Sequence, residues 1–404
     1  MESRSDQQAP WQRAAAGAGL LGADGALAQT VFAEMTALAA STGALNLGQG
    51  FPDEDGPRAV LDAAKHAIDH GRNQYGPAKG APELIDAICD HQRRFYGIGL
   101  GRGEVLVTAG ATEALAATML AYLSPGDEVI VFEPYYDAYA AVAALAGAEL
   151  VPVPLAAPDW QPDPDRLQRA TSPRTRMIIV NSPHNPTGAV FSKETMRHIV
   201  RVAERRDAII VTDEVYEHLV YDDRHVPIAT IDAARERTVS ISSAGKTFSV
   251  TGWKIGWITA TPRRIAEIGA VKQYLTFVNG APFQPAVAVG LTLPDEHFDT
   301  IVDSFARKRD ILERGLRAAG FRVHHASAGY FLLADAAPLG VDDATALARR
   351  LPELVGVVGV PLSALARPSR RDLRSTLRLA FCKSDDMLRD AAGRLATLRS
   401  ALDA

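Results

Sequence analysis

Between residues 104 and 260, seven short apolar runs alternate with longer stretches of helical spacing: EVLVTAG, DEVIVFEP, ELVPVP, RMIIVNSP, AIIVTDE, TVSISSA and IGWITA. The runs are continuously apolar rather than alternating, which predicts strands covered on both faces. The intervening TEALAATMLAYL and SKETMRHIVRVAERRDA have helical periodicity, and the second carries a polar face. Strands alternating with helices predict an α/β domain built mainly on a parallel sheet. TVSISSA and IGWITA leave almost no room for a crossover helix between them, so one of the two is expected to run antiparallel.

Beyond residue 300 the rhythm changes. FARKRDILERGLRAAGFRVHHASAGYFLLAD reads as a helix and two strands, LRLAFCK as a late strand, and DDMLRDAAGRLATLRSAL as one closing helix. The expected organisation is a tail over residues 1–28, a large domain over 62–298, and a smaller α+β domain from 29–61 and 299–404. The Ala-rich tail is read as mobile or loosely docked, able to form a helix against the body. Within it Gly17, Gly19 and Gly22 spell G-x-G-x-x-G, but no strand precedes the first glycine, so the dinucleotide reading fails.

A net charge of -5 gives no basic surplus for nucleic acid or an anionic membrane. No apolar run reaches the roughly 20 residues that span a bilayer, and the N-terminus lacks the apolar segment of a secretory signal. Cys89 and Cys382 have no metal-ligand spacing and fit a reducing cytoplasm. No metal is expected.

Ligands of open α/β sheets bind outside the carboxyl ends of the strands. There the sequence places Thr108-Ala109-Gly110, Glu133-Pro134, Asn181-Ser182-Pro183, Asp213-Glu214 and Ser242-Ser243. VLVTAGATEALAATML runs from strand through a glycine turn into a helix, leaving the N–H groups of Gly110, Ala111 and Thr112 free for an anion. NSPHNPTG offers Asn181 and Asn185, in what is otherwise a common Asn-Pro turn. Asp213 ends an apolar strand and needs a cationic or N–H partner; taken alone, a structural salt bridge would serve. SSAGKTFSVTGWKIGW sets Lys246 and Lys254 eight positions apart among small and aromatic residues. Ser243 and Lys246 form S-x-x-K, but the S-D-N and K-T-G companions of the serine acylases are missing.

Jointly these elements suit a ligand with a phosphate, a phenolic oxygen, a ring nitrogen and a carbonyl: pyridoxal 5′-phosphate (PLP). In NLGQGFPDEDGP, NQYGPAKG, EPYYDAY, NSPHNPTG, DEVYEHLVYD, SSAGKTFSVTGWKIGW and LRLAFCK, in that order, the chain resembles the class I/II, fold-type I PLP-dependent aminotransferases. It is most similar to their kynurenine/glutamine and N-succinyldiaminopimelate aminotransferase-like branch. The resemblance runs from about Val31 to the C-terminus. It implies a seven-stranded, mostly parallel sheet in the large, PLP-binding domain, a smaller α+β domain, and a cytoplasmic homodimer.

Residue by residue, the resemblance implies that Lys246 carries the cofactor as a Schiff base and moves the substrate proton. It implies that Asp213 pairs with the ring nitrogen, and that Tyr216 and Asn185 bond the ring's 3-oxygen. Tyr136 would stack on the ring. Gly110, Ala111, Thr112, Ser243 and Lys254 would hold the phosphate, joined by Tyr75 of the other subunit. Arg378 would grip the substrate carboxylate, helped by Asn181 and Gly50. Lys254 stands where many relatives have arginine, and Ala328-Gly329 departs from the pattern before the aromatic pair of SAGYFLLAD. Phe32, Phe51, Tyr135 and Phe277 suggest an aromatic-friendly substrate pocket, although large aromatics are also ordinary core residues. The expected reaction moves an amino group from an L-amino acid to a 2-oxo acid, with kynurenine, glutamine, methionine, an aromatic amino acid or N-succinyl-diaminopimelate as donor. The alternatives are a C–S β-lyase or a cyclising enzyme on the same fold, and, more remotely, an amino-acid-sensing regulator.

Overall fold

The computed structural model describes residues 8–22 and 24–403, the side chains of Asp232 and Ala233 excepted. The chain opens with α1 (Pro10–Gly17), α2 (Val31–Thr42), β1 (Leu45–Asn46), α3 (Arg58–Asp69) and α4 (Pro82–Tyr96). The alternating region follows as β2 (Val105–Thr108), α5 (Gly110–Tyr122), β3 (Glu128–Glu133), α6 (Ala138–Leu145), β4 (Glu149–Pro154) and α7 (Pro164–Ala170). It continues through β5 (Thr175–Asn181), α8 (Lys193–Arg206), β6 (Ile209–Asp213), β7 (Thr238–Ser243), α9 (Ala244–Thr247) and β8 (Gly256–Thr259). Then come α10 (Pro262–Lys272), α11 (Phe283–Leu291), the long α12 (Asp295–Ala318), β9 (Arg322–His324) and β10 (Phe331–Asp335). The chain closes with α13 (Ala344–Val355), β11 (Val357–Val358), β12 (Val360–Pro361), β13 (Thr376–Ala380), α14 (Asp385–Leu395) and α15 (Leu398–Asp403).

All seven expected strands form one sheet, in the order β2-β8-β7-β6-β5-β3-β4. The pairings among β7, β6, β5, β3 and β4 are parallel, whereas β8 is antiparallel to both β7 and β2. Strand periodicity splits the apolar residues between two layers. Ile178, Val180 and Ile210 face one way, against Met196, Ile199 and Val200 of α8. Met177, Ile179, Val211 and Ile241 face the other way, against Leu115 and Met119 of α5 and Ile265 and Ile268 of α10. This double coverage is why the sequence shows unbroken apolar runs. Helix ends carry local signals: Ser192 caps α8 by accepting from the Thr195 amide, and Asp343 and Ser384 cap α13 and α14 in the same way.

The C-terminal region contributes a four-stranded antiparallel sheet, β12-β13-β10-β9. β1 pairs in parallel with β11, so residues before the large sheet join those after it. A core of Met35, Leu47, Leu312, Leu332, Leu377 and Leu379 closes beneath them. The closing helix is not continuous as expected. It breaks between α14 and α15, where the Thr397 N–H bonds the Arg394 carbonyl three residues back at 3.1 Å and the Thr397 hydroxyl donates to the same carbonyl at 2.8 Å. The described part of the tail is ordered: α1 packs along α6, and the Gly17 of the false fingerprint sits at the helix end. Among the described residues no helix is long and apolar enough to cross a membrane.

One buried ion pair ties the two parts of the chain. Glu133, at the end of β3 and fully buried, accepts from the Arg367 backbone at 2.7 Å and from its guanidinium at 3.1 Å, with Arg370 at 3.5 Å. Arg370 also donates to the backbone carbonyls of Glu133 and Leu155. Removing Glu133 strips the largely buried Arg370 of one of its two carboxylate partners, leaving Asp372, and frees the half-exposed Arg367. Glu133→Ala should therefore cost about 3 kcal/mol of unfolding free energy, measured by urea denaturation of the cofactor-free protein. A loss below about 1 kcal/mol, the range of exposed pairs, would contradict this account.

Candidate active site

The strand ends of the sheet open onto a cavity of about 390 Å³. Because β5, β6 and β7 are parallel neighbours, Asn181, Asp213 and Ser243 arrive at its floor from adjacent strands. The Asn181 amide nitrogen donates to the Asp213 carbonyl at 2.9 Å and to the Pro183 carbonyl at 3.2 Å. Its Oδ1 accepts the Asn185 N–H at 2.7 Å. Asn181 therefore fixes the rim while lining the cavity.

One wall is the N-terminus of α5, where Gly110, Ala111 and Thr112 line the space and no side chain caps the helix. β8 brings Lys254 to the same wall. Its backbone is left-handed (φ 54°), and a Cβ added at Gly110 would stand 3.3 Å from its Nζ. Gly256 permits this approach, since a Cβ there would fall 2.6 Å from the Gly110 backbone. A cation, free helical amides and the adjacent Ser243 together make an anion site.

Asp213 lies on the floor, 5% exposed. Its Oδ2 accepts from the Tyr139 hydroxyl at 2.6 Å, while Oδ1 is buried without a partner. Burial pushes the carboxyl upward, and the Tyr139 hydrogen bond opposes that shift. Burial also lifts the Tyr139 phenol far above its ordinary range, so it remains a donor. Tyr136 and Tyr139 pack edge to face at 5.7 Å.

Lys246 follows β7 on the short α9 and is held by the Gly50 carbonyl at 3.2 Å. The Tyr330 hydroxyl donates to that same carbonyl at 2.7 Å. The Nζ lies 5.4 Å from the Tyr330 ring and 5.9 Å from that of Tyr216. Burial, reinforced by Lys254 and Arg378, pulls the amine down to about 8. Burial likewise keeps the Tyr216 phenol protonated.

Arg378, on β13, enters from the opposite side, 3% exposed and pulled down by burial to about 10. It donates to the Gly48 carbonyl at 2.8 Å and reaches Asn185 Oδ1 at 3.5 Å, and its Nε is buried without a partner. The Phe331 ring stands 4.0 Å from the guanidinium and the Phe32 ring 5.0 Å.

The cavity thus gathers Lys246, Asp213, Tyr216, Gly110, Ala111, Thr112, Tyr136, Asn181, Asn185, Ser243, Lys254, Arg378, Gly50 and Phe32. Tyr75 and Phe277 stand elsewhere, 5.7 Å apart and 85% and 44% exposed. Of the four aromatics expected around a substrate, Phe32 alone lines the cavity. Phe51 is exposed, and Tyr135 borders a separate groove with Gly17 and Arg367. Phe331 takes the aromatic role beside Arg378. Sequence reading missed Phe331, Tyr139 and Tyr330. Tyr139 closes EPYYDAY and Tyr330 precedes FLLAD, but nothing local in either motif says which way a tyrosine turns.

The orphaned Asp213 oxygen, the cationic cradle at Gly110 and the low-pKa amine are the groups that PLP requires for its ring nitrogen, phosphate and aldehyde, so the residues fit this cofactor.

The family model for aminotransferase class I and II matches residues 42–395. The probable N-succinyldiaminopimelate aminotransferase DapC of Mycobacterium tuberculosis is 50% identical over 383 residues, 92% of this chain and 96% of the relative. The methionine aminotransferase of Escherichia coli is 38% identical over 92% of this chain and 96% of its own. The solved structure of the M. tuberculosis N-succinyldiaminopimelate aminotransferase superposes with a TM-score of 0.90 at 50% identity, covering 92% of this chain and 97% of that one. All are named as aminotransferases, which favours transamination over the elimination alternative.

In the cofactor-free protein Lys246 should react with an acylating reagent with a pH midpoint near 8, against about 10.4 for solvated lysines. Peptide mass spectrometry across a pH series reads both. A midpoint no lower than that of the surface lysines would sink this reading of the amine.

Proposed function

The chain belongs to the class I and II aminotransferases, and we propose that the groups facing this one cavity divide the work of transamination among them. The protein is a PLP-dependent enzyme that moves an amino group from an L-amino acid to a 2-oxo acid in two half-reactions. When bound, PLP supplies an aldehyde that captures amines and a ring that accepts the electrons released from the substrate Cα–H bond. In our reading Lys246 holds the cofactor covalently between turnovers, and its freed amine moves the proton off and onto the substrate α-carbon. A pKa of about 8 leaves a useful fraction of that amine unprotonated near neutrality. Asp213 Oδ1 holds the proton on the ring nitrogen. Tyr216 and Asn185 hydrogen-bond the 3-oxygen, and Tyr136 packs on the ring.

Lys254, Ser243 and the amides of Gly110, Ala111 and Thr112 bind the phosphate. Arg378 takes the substrate carboxylate, with Asn181 and Gly50 fixing the surrounding rim. The observation that carries this reading is that, among the described residues, two side chains lining the cavity with Lys246 hold a buried polar atom without a partner, Asp213 Oδ1 and Arg378 Nε. Each needs a partner of opposite character.

We place the enzyme in a homodimer. Tyr75, Tyr274, Leu275, Phe277 and Ile68 are large apolar or aromatic side chains left exposed on the single chain, an arrangement that marks an interface. Tyr75 of one subunit would reach the phosphate of the other, with Phe277 lining that neighbour's substrate mouth. In the same reading, residues 62–298 form the PLP-binding domain, and 29–61 with 299–404 the smaller one.

For the donor we propose N-succinyl-diaminopimelate, the substrate named in the half-identical relative. A second reading, a neutral donor such as methionine, is favoured by one observation. Among the described residues, Lys246, Lys254 and Arg378 are the only cations lining the cavity, and each already has a task.

Adding single amino acids to the cofactor-loaded protein without oxo acid, and following the visible absorption, ranks the donors. Faster bleaching by N-succinyl-diaminopimelate than by methionine supports the first reading, and the reverse order the second. Release of ammonia without bleaching would overturn transamination itself. Arg378→Ala should raise KM for amino and oxo acids together by about 100-fold, the worth of a charge-assisted bidentate pair. An unchanged KM would remove Arg378 from the site.

A further inference from the structure

The short helix α6 joins the cavity to a part of the chain that lies outside the matched family region. Tyr136 immediately precedes α6, and Tyr139 in its first turn bonds Asp213. Yet α6 is a weak helix. It has eight residues, AYAAVAAL, and no side-chain N-cap. Helices this short are marginal without outside support.

α5 and β4 support the buried face of α6, and α1 supplies the rest. The Arg13 side chain donates to the Ala144 carbonyl from Nε at 3.3 Å and to the Leu145 carbonyl from Nη2 at 3.4 Å. A guanidinium at a helix C-terminus satisfies orphan carbonyls and complements the helix dipole. Arg13 is itself held by the Gln8 carbonyl at 2.9 Å. Gly17 then lets α1 lie flat on α6: an added Cβ would meet the Ala140 carbonyl oxygen and the Ala144 Cβ, both at 2.6 Å. The family model begins at residue 42, so none of α1 falls within it.

We propose that α1 is a clamp on α6, with Arg13 as a positioning residue that holds Tyr139 against Asp213 and so tunes the cofactor site from outside it. The proposal rests on the reading of Asp213 as the partner of the cofactor's ring nitrogen. The clamp touches neither cofactor nor substrate. It acts by limiting the tilt and slide of α6, on which the 2.6 Å Tyr139–Asp213 bond depends. Without that bond, Oδ2 of the buried Asp213 would lose the Tyr139 donor, and the carboxylate would bind the ring-nitrogen proton differently.

The test uses full-length protein carrying Arg13→Ala, Arg13→Lys, Gly17→Leu, Tyr139→Phe or Arg13→Ala/Tyr139→Phe. Two quantities are read: the dissociation constant of PLP, and the pH midpoint of the visible band of the loaded protein. Tyr139→Phe should weaken PLP about tenfold and move the midpoint. Arg13→Ala should weaken it about threefold and move the midpoint in the same direction, with Arg13→Lys restoring part of the loss. Gly17→Leu should do more than Arg13→Ala; if it does not accumulate as folded protein, the Arg13 variants decide.

In the double variant the Arg13 effect should largely vanish, because the bond it protects is already gone. Wild-type affinity and midpoint in Arg13→Ala would overturn the clamp. So would an Arg13 effect that persists in full without the Tyr139 hydroxyl. Asp213→Asn is the control for the underlying reading: if it leaves the midpoint unmoved, the assignment of Asp213 falls, and the clamp falls with it.

Discussion

A carboxylate buried at the end of a central strand is costly unless both its oxygens are answered, and Asp213 has only one answered. The chemistry of the cavity follows from that half-met demand. Tyr139 fixes the rotamer by taking Oδ2, which leaves Oδ1 buried without a partner in a side chain that lines the cavity. The Asn181 amide holds the Asp213 backbone from the neighbouring strand, so neither main chain nor side chain is free to turn away. A site built this way carries its instability in advance, as functional sites often do.

The other groups are arranged around this point by topology more than by local sequence. Parallel β5, β6 and β7 deliver three polar residues side by side because their carboxyl ends share one edge. β13, from the far end of the chain, brings Arg378 across from the smaller sheet, where it lies between two phenyl rings with little water to weaken its charge. The Glu133–Arg367–Arg370 cluster holds that C-terminal region against the end of β3. The cluster thus reinforces a contact between the large sheet and the C-terminal region, although it borders neither Asp213 nor Arg378.

Much of this was legible in the sequence, and the reason is physical. Seven doubly covered strands leave seven unbroken apolar runs, and residues that close such runs with Asp, Asn or Ser must face the ligand edge. Lys246 and Asp213 stood out as charges set in apolar surroundings, but their roles came from the family resemblance; taken alone, Asp213 read as half of a structural salt bridge. Tyr139 and Phe331 were not legible, since a tyrosine in an Ala-rich helix and a phenylalanine opening a strand are ordinary core residues until the fold shows what they touch. Tyr75 illustrates the opposite limit: its motif, NQYGPAKG, was conspicuous, but one chain places it on its surface beside Phe277. The break before α15 is a local tightening of the last turn of α14, which helical periodicity does not reveal.

The antiparallel run of β8 has a further consequence. Because β8 returns beside β7 with no crossover helix, the loop of residues 244–255 carries Lys246 at its start and Lys254 near its end. In the proposed reading, the covalent and the electrostatic anchors of the cofactor thus share one tether of fixed length. An inserted or deleted residue there would shift both against a cofactor of invariant size. The connection after β4, at the far edge of the sheet, carries, among the described residues, no group that lines the cavity. Lineages of this chain should therefore hold the 244–255 loop at constant length more strictly than that connection, whichever substrate they come to use.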